Sequence, residues 1–230
     1  MTMLQWNVRG VRARSGDLRL LLHELNPSFV CLQELKLPDE QQGSFTVHPM
    51  YKSYLKLPRD NAVPKGGALV AVRHSVPHDP IDLRSDLQAV AVKLHAGDLK
   101  SLCSLYLPPD APVTLGELCN LIAQLPAPTL LLGDFNAHNP LWFDNSLDAR
   151  GRLVQSAIET ENLFCLNGDQ HTYFRSYDQS SSNIDLALIS SQCAANYDWT
   201  TLDDLNGSDH FPVVISPTLP TPPLSLKSGT

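Results

Sequence analysis

Leu130 to Trp142 reads LLLGDFNAHNPLW: three leucines and a glycine suited to a buried strand run directly into Asp134, Asn136 and His138. In an extended chain residues i and i+2 face the same way, so Asp134 and Asn136 can point into one cleft while Phe135 packs behind them. The same residues also suit a plain turn, since Gly, Asp and Asn are common turn formers, and the stretch alone leaves both readings open. His138 and Trp142 likewise either line the cleft or pack the loop.

Outward from that stretch the chain alternates short apolar runs with turn residues. LQWNV, SFVCL, GALVAVR, AVAVKLH and SLCSLYL before it, and FCLN, HTYF, IDLALIS and FPVVIS after it, are bounded by Pro, Gly or charged residues, which predicts strands. Leu18, Leu21, Leu22 and Leu25 recur at helical spacing behind Ser15, read as an N-cap, with Asn26-Pro27 as the stop. Thr114 to Glu117 fits a capping box opening a helix through Leu118, Ile122 and Leu125, and Leu147 to Glu161 carries a helical stripe through Val154 and Ile158. Many strands broken by three helices predict two packed sheets flanked by helices, in preference to a doubly wound parallel sheet. The expected domain covers residues 1–216, and the proline-rich residues 217–230 read as a linker or tail leading to a further region.

Composition narrows the function. The 230 residues are 43% hydrophobic and 18% charged, enough for one large α/β core. No run of eighteen apolar residues occurs and the N-terminus enters a strand directly, so neither membrane insertion nor export is expected. Five cysteines (Cys31, Cys103, Cys119, Cys165, Cys193) lie far apart, odd in number and without a C-x-x-C pair, which favours reduced, buried thiols over a disulfide or zinc framework. A net charge of -7 argues against coating nucleic acid by bulk electrostatics, yet residues 1–100 hold 13 Lys/Arg to 10 Asp/Glu and residues 101–230 hold 4 to 14. An acidic centre with a basic flank suits an enzyme that holds a cation and touches a polyanion, and ordinary surface charge explains the counts as well.

Polar residues that do not fit their surroundings cluster at strand ends: Asn7 after LQW, Glu34 after FVCLQ, Tyr106 after SLCSL, Asp134 and Asn136 after TLLLG, and Asp209-His210 before FPVVI. Asp185 stands inside NIDLALIS, where a carboxylate is costly unless paired, and His210 is one candidate partner among eight histidines. Carboxylates, amides, a tyrosine and a histidine, without an activated Ser or Cys or a glycine-rich phosphate loop, suit hydrolysis of a phosphate ester by metal-assisted water. An oxygen-rich site prefers Mg²⁺ or Mn²⁺ to zinc.

The ordered motifs WNVRG (6–10), VCLQELKL (30–37), SLYLPP (104–109), LLLGDFNAHNPLW (130–142), NIDLALIS (183–190) and SDHFPV (208–213) resemble the endonuclease/exonuclease/phosphatase family. The resemblance implies a four-layered α/β sandwich with the active site at one edge of the paired sheets. By it, Glu34 is the metal-binding glutamate supported by Asn7, and Asp209 lies near the metal. Asp134 activates water, Asn136 positions water and phosphate, Tyr106 contacts the phosphate, and His210, held by Asp185, stabilises the transition-state charge. GDFNAHNPLW, LNPSFVCLQELKL and SDHFPV are most similar to endonuclease domains of non-LTR retrotransposons, which nick chromosomal DNA to prime reverse transcription. This branch implies double-stranded DNA as partner, covalent fusion to a reverse transcriptase region, and action inside the cell, in the nucleus. Arg9 replaces the Asp usual in apurinic/apyrimidinic repair endonucleases, which disfavours that alternative and offers a phosphate contact. A phosphoesterase of the same family acting on a small or lipid ester is the other alternative. YFRSYDQSSSN (173–183) stands where related enzymes carry a groove-probing hairpin, and Tyr173, Arg175 and Tyr177 within it, with Thr172 just before it, are candidate DNA contacts.

Overall fold

The computed structural model describes residues 1–59 and 63–218. In chain order its strands are β1 (Met3–Asn7), β2 (Phe29–Gln33), β3 (Tyr51–Lys56), β4 (Ala68–Arg73), β5 (His78–Ile81), β6 (Gln88–Leu94), β7 (Ser101–Tyr106), β8 (Thr129–Asp134), β9 (Leu163–Cys165), β10 (Tyr173–Arg175), β11 (Ser180–Ser182), β12 (Asp185–Ser190), β13 (Tyr197–Thr201) and β14 (Val213–Pro217). The helices are α1 (Ser15–Leu25), α2 (Leu115–Ile122) and α3 (Ala149–Thr160).

Two six-stranded sheets form, ordered β13-β14-β1-β2-β4-β3 and β5-β6-β7-β8-β12-β9, and β10-β11 make a separate hairpin. Each sheet carries one parallel pair, β1 with β2 and β7 with β8, and each pair is joined through a helix, α1 or α2. A parallel pair needs such a long crossover. The remaining pairings are antiparallel.

Alternation along the strands builds the layers. On β1, Leu4 and Trp6 face outward with Val30 and Leu32 onto Leu18, Leu21 and Leu22 of α1. Met3, Phe29, Cys31, Val70 and Val72 face inward and meet Leu102, Leu130, Leu132, Ala187 and Ile189 of the second sheet. That sheet turns Cys103, Leu105, Leu131, Leu186 and Leu188 outward onto Leu118, Leu121 and Ile122 of α2 and Val154, Ala157 and Ile158 of α3. Helix, sheet, sheet and helix pair thus give the expected four layers, with both faces of each sheet buried.

Several local expectations are corrected. Arg14, not Ser15, occupies the α1 N-cap, with no side-chain cap, and Asn26 closes the helix in left-handed backbone. The Thr114–Glu117 capping box is present, but α2 ends at Ile122 and Leu125 lies in the turn beyond. Helix α3 begins at Ala149, where Asp148 accepts from Gly151 N at 2.5 Å. Pro217, expected to begin a linker, still belongs to β14, and residues 219–230 of that expected tail lie outside the described residues. All five cysteines are free thiols, with Cys31, Cys103 and Cys193 buried. Among the described residues no helix is long and apolar enough to cross a membrane.

Candidate active site

The inward face of the two sheets turns from apolar to polar at one end. Following the alternation, β1 presents Met3, Gln5 and Asn7, β2 presents Phe29, Cys31 and Gln33, and β8 presents Leu130, Leu132 and Asp134. Strand register then sets Asp185 beside Asp134, Tyr106 beside Asp134, and Asn7 beside Gln33. Eight residues scattered over the sequence, Asn7, Glu34, Tyr106, Asp134, Asn136, Asp185, Asp209 and His210, therefore gather at one mouth between the sheets.

Gly133 makes this register achievable. A Cβ at Gly133 would stand 1.8 Å from the Leu105 carbonyl oxygen, so only glycine lets β8 approach β7 here. The GD of the opening stretch is accordingly strand, and the left-handed turn starts at Asn136 (φ 46°).

Two adjacent buried carboxylates, Asp134 and Asp185, are 1% exposed each and need compensation. His210 Nδ1 lies 2.7 Å from Asp185 Oδ2, and Gln5 Nε2 donates to Asp185 Oδ1 at 2.9 Å. Gln5 also donates to Gln33 Oε1 (2.7 Å), whose Nε2 donates to Ser104 Oγ (2.9 Å). This chain of amides fixes which way the Gln5 N–H groups point. Asn7 Nδ2 donates to Asp134 Oδ2 at 2.8 Å and the Asn136 backbone N to Oδ1 at 3.0 Å.

Electrostatics follow from these contacts. Burial first, then the Asp185 charge, push the Asp134 carboxyl well above its usual pKa, despite the His210, Asn7 and Asn136 contacts that oppose the shift. Burial disfavours the His210 imidazolium, but the Asp185 carboxylate outweighs it and holds the histidine up at about 9. Asp134 thus has the character of a base working near neutrality, and His210 that of a cation.

Glu34 is held by three side chains. Lys36 Nζ lies 2.7 Å from Oε2, Tyr106 OH donates to Oε1 at 3.0 Å, and Asn7 Nδ2 reaches Oε1 at 3.4 Å. Burial alone would raise its pKa, yet Lys36, Tyr106 and Asn7 hold the carboxyl below its ordinary value. Burial and the Glu34 and Asp134 charges push the Tyr106 phenol upward, so it remains a donor. Arg9 Nη1 pairs with Asp209 Oδ2 at 2.9 Å. The two carboxylates expected to bind metal therefore each carry a basic partner, Lys36 or Arg9.

A hard divalent cation fits Glu34 and Asp209 by donor chemistry: both offer carboxylate oxygens, Glu34 is ionised, and Mg²⁺ commonly uses one or two carboxylates with water and substrate phosphate. A second grouping, Asp134, Asp185 and His210, has ligand atoms within 4.8 Å of one another. Its four carboxylate oxygens and His210 Nδ1 already take part in the His210–Asp185, Gln5, Asn7 and Asn136 contacts, which leaves His210 Nε2 outside them.

The candidate DNA contacts divide. Thr172 is a correction: it is fully buried, and its Oγ1 accepts from Ile184 N (3.2 Å) and Asp185 N (3.0 Å), so it pins β12 from behind and offers nothing to a ligand. Tyr173 packs its ring 4.8 Å from the His210 ring, and β10 is tied to the histidine segment by Phe174 N to Asp209 O (2.9 Å). Residues 173–182 form the expected hairpin, with Arg175 Nη1 3.3 Å from Tyr177 OH and Tyr177 81% exposed. Trp142 of the opening stretch is fully buried with Nε1 donating to Ala137 O (3.2 Å), which settles it as packing. His138, a third exposed, pairs through Nδ1 with Asp144 Oδ2 at 3.1 Å.

Sequence reasoning missed Gln5, Gln33, Ser104, Lys36 and Arg150. Arg150 donates to the Pro109 (2.9 Å) and Ala111 (2.7 Å) carbonyls and so ties down the loop after Tyr106, to which Asn136 Nδ2 also donates at Leu107 O (3.0 Å). The available signal was spacing: Gln5 stands two before Asn7 and Ser104 two before Tyr106, on the same strand face.

Known proteins share parts of this sequence and its fold. A family profile described as Endonuclease-reverse transcriptase matches residues 101–214. The chain is 27% identical over 221 residues to the probable RNA-directed DNA polymerase from transposon BS of Drosophila melanogaster, covering 94% of this chain and 24% of that protein. It is 28% identical over 215 residues to the RNA-directed DNA polymerase from mobile element jockey of Drosophila funebris, covering 91% and 23%. The chain thus spans about a quarter of the length of these curated relatives. The fold is shared with the endonuclease domain of TRAS1, a telomere-specific non-LTR retrotransposon (TM-score 0.75, 21% identity, 93% of this chain and 96% of that one). It is shared also with an AP endonuclease from Archaeoglobus fulgidus (TM-score 0.70, 16% identity, 95% and 100%). Residues 101–214 thus match the Endonuclease-reverse transcriptase family, nearly the whole chain is similar to part of Drosophila mobile-element RNA-directed DNA polymerases, and its two-sheet sandwich is the fold of the TRAS1 endonuclease domain and of AP endonucleases.

Proposed function

We propose that this chain is a Mg²⁺- or Mn²⁺-dependent endonuclease that nicks double-stranded DNA in the nucleus and leaves a 3'-hydroxyl end. That end would prime target-primed reverse transcription by a reverse transcriptase region fused to it in the full protein. The observation that carries the reading is the convergence of the His210–Asp185 pair and Asp134 on one mouth beside Glu34.

Asp134, with each oxygen fixed by a donor from Asn7 or Asn136, orients a water and takes its proton. Its raised pKa makes it a stronger base than an ordinary carboxylate. His210 commits Nδ1 to Asp185, which leaves Nε2 to donate to a phosphoryl oxygen as negative charge develops. Tyr106 donates to Glu34 and holds it in place for the cation. A bound divalent cation would neutralise charge on the phosphate. Arg9 and Arg175, both exposed, supply phosphate contacts on either side.

The test is conversion of supercoiled plasmid to open circle by the purified chain. Nicking is expected with Mg²⁺, is expected to stop in EDTA, and should fall roughly 10²–10⁴-fold in Asp134→Ala, Glu34→Ala and His210→Ala. A fully active His210→Ala overturns the assignment. Strong preference for an abasic-site duplex over intact DNA moves it to repair.

A further inference from the structure

The loop between β8 and α3, residues 138–147, is firmly built inside and apolar outside. Trp142 is fully buried, Asn139 is 4% exposed, and Asp144 is 6% exposed. Asn139 accepts from Leu141 N (2.9 Å) and donates to Gln155 Oε1 (2.9 Å). Asn183, at the foot of the hairpin, donates through Nδ2 to the Trp142 carbonyl (2.8 Å) and through its backbone N to Asp144 (2.9 Å). A Cβ at Gly151 would stand 1.9 Å from the His138 carbonyl oxygen, so α3 is pressed against the same loop.

On this frame Leu141 and Phe143 stand 51% and 53% exposed. Phe143 adopts φ 62°, a conformation that glycine takes freely and that an aromatic residue takes only with strain. Packing does not account for it, because half the residue faces solvent. Nor does the patch suit a stable protein interface, being a few side chains wide. Its flanks carry basic side chains: His138 begins the loop, 3.1 Å from Asp144, and Arg175 stands on the hairpin, 5.6 Å over the Tyr177 ring. The loop also begins two residues after Asn136, at the same mouth as the site.

We propose that Phe143, with Leu141 beside it, is a wedge that enters a groove of the DNA duplex next to the scissile phosphate. Through the Asn183 bridge it works with the Tyr177-bearing hairpin to choose the nick site. Apolar wedges inserted between base steps, with basic residues around them, are a known way to read and kink duplex DNA. The inference rests on the endonuclease reading above and adds a second contact element to it.

Phe143→Gly separates the roles, since glycine relieves the left-handed backbone while removing the ring. A fluorescein-labelled duplex carrying a mapped nick site, titrated in EDTA, is expected to bind Phe143→Gly about tenfold more weakly than the native chain. With Mg²⁺ the positions of plasmid nicks are expected to redistribute. The melting temperature should hold or rise by roughly 2–4 °C, and Phe143→Trp should retain affinity. Native binding and a native nick map in Phe143→Gly overturn the wedge and leave the endonuclease reading intact. A native chain that neither binds nor nicks the duplex overturns that reading and the wedge with it.

Discussion

The Asp185–His210 pair makes stability depend on pH in a direction fixed by the structure. His210 is buried, 2.7 Å from Asp185, with a folded-state pKa of about 9 against about 6.5 in an unfolded chain. A group whose pKa is raised by folding contributes stability that is fully present below its unfolded value and lost as pH rises through its folded value. At about 1.4 kcal/mol for each pH unit between the two values, the pair is worth about 3 kcal/mol at pH 6, gone near pH 10. Asp134, also raised, acts in the same sense at lower pH. His138 adds a smaller share, discounted because a third of its side chain meets solvent. Glu34 is lowered, so its contribution is lost only as pH falls through the acid range. Urea unfolding in EDTA at fixed ionic strength, from about pH 6 to pH 10, measures the slope. In Asp185→Asn the carboxylate that holds the imidazolium is gone, so that variant should be less stable than the native chain at pH 6 and converge with it at the alkaline end. A native curve flat over this interval, or a variant curve parallel to it, refutes the reasoning.

Two further substitutions test the frame of the site. Gly133→Ala drives a methyl group into the Leu105 carbonyl and should cost roughly 2–3 kcal/mol in urea unfolding; a native midpoint would show that β7 and β8 part freely. Thr172→Val leaves the buried Ile184 and Asp185 N–H groups without their acceptor and should cost about 2 kcal/mol while the dissociation constant for duplex DNA stays unchanged; lost DNA affinity at native stability would restore Thr172 as a contact.

What was legible in the sequence followed burial on both faces. MLQWN and LLLGD are apolar on one side for a helix layer and apolar then polar on the other, so their strands and their polar tips stand out. Strands β3 (YKSYLK), β5 (HDPI), β11 (SSS) and β13 (YDWTT) escaped because they lie at sheet edges or in the hairpin and carry exposed polar residues. The same limit explains Thr172. Its residue type and its place before the hairpin suit a surface contact, and only the packing of β12 shows that its hydroxyl is spent on backbone. Gln5 and Ser104 carry only the spacing signal, two residues before Asn7 and Tyr106, and their bonds to Asp185 and to Gln33 become legible only once the register across two sheets is known.

Backbone strain ties the fold to the chemistry. Arg9, Glu34, Lys36 and Asn136 all adopt left-handed φ, between 46° and 52°, within three residues of the ends of β1, β2 and β8. For residues other than Gly or Asn each such position costs on the order of 1 kcal/mol or more, so Arg9, Glu34 and Lys36 hold it only because neighbouring bonds compel it. Those bonds are present: Val8 N to Gln33 O (3.1 Å), Gly10 N to Glu34 O (2.8 Å), Val11 N to Leu35 O (3.0 Å) and Lys36 N to Gly66 O (2.9 Å). The β1–β2 pairing thus continues past both strand ends while the chain turns, and this sends Glu34 and Lys36 toward each other and Arg9 toward Asp209. Residues chosen for stability alone would place glycine or asparagine at these turns. The charged residues found there are held instead by the ion pairs they form at the mouth of the sheets, Glu34 with Lys36 and Arg9 with Asp209, the two carboxylates proposed above to hold a divalent cation.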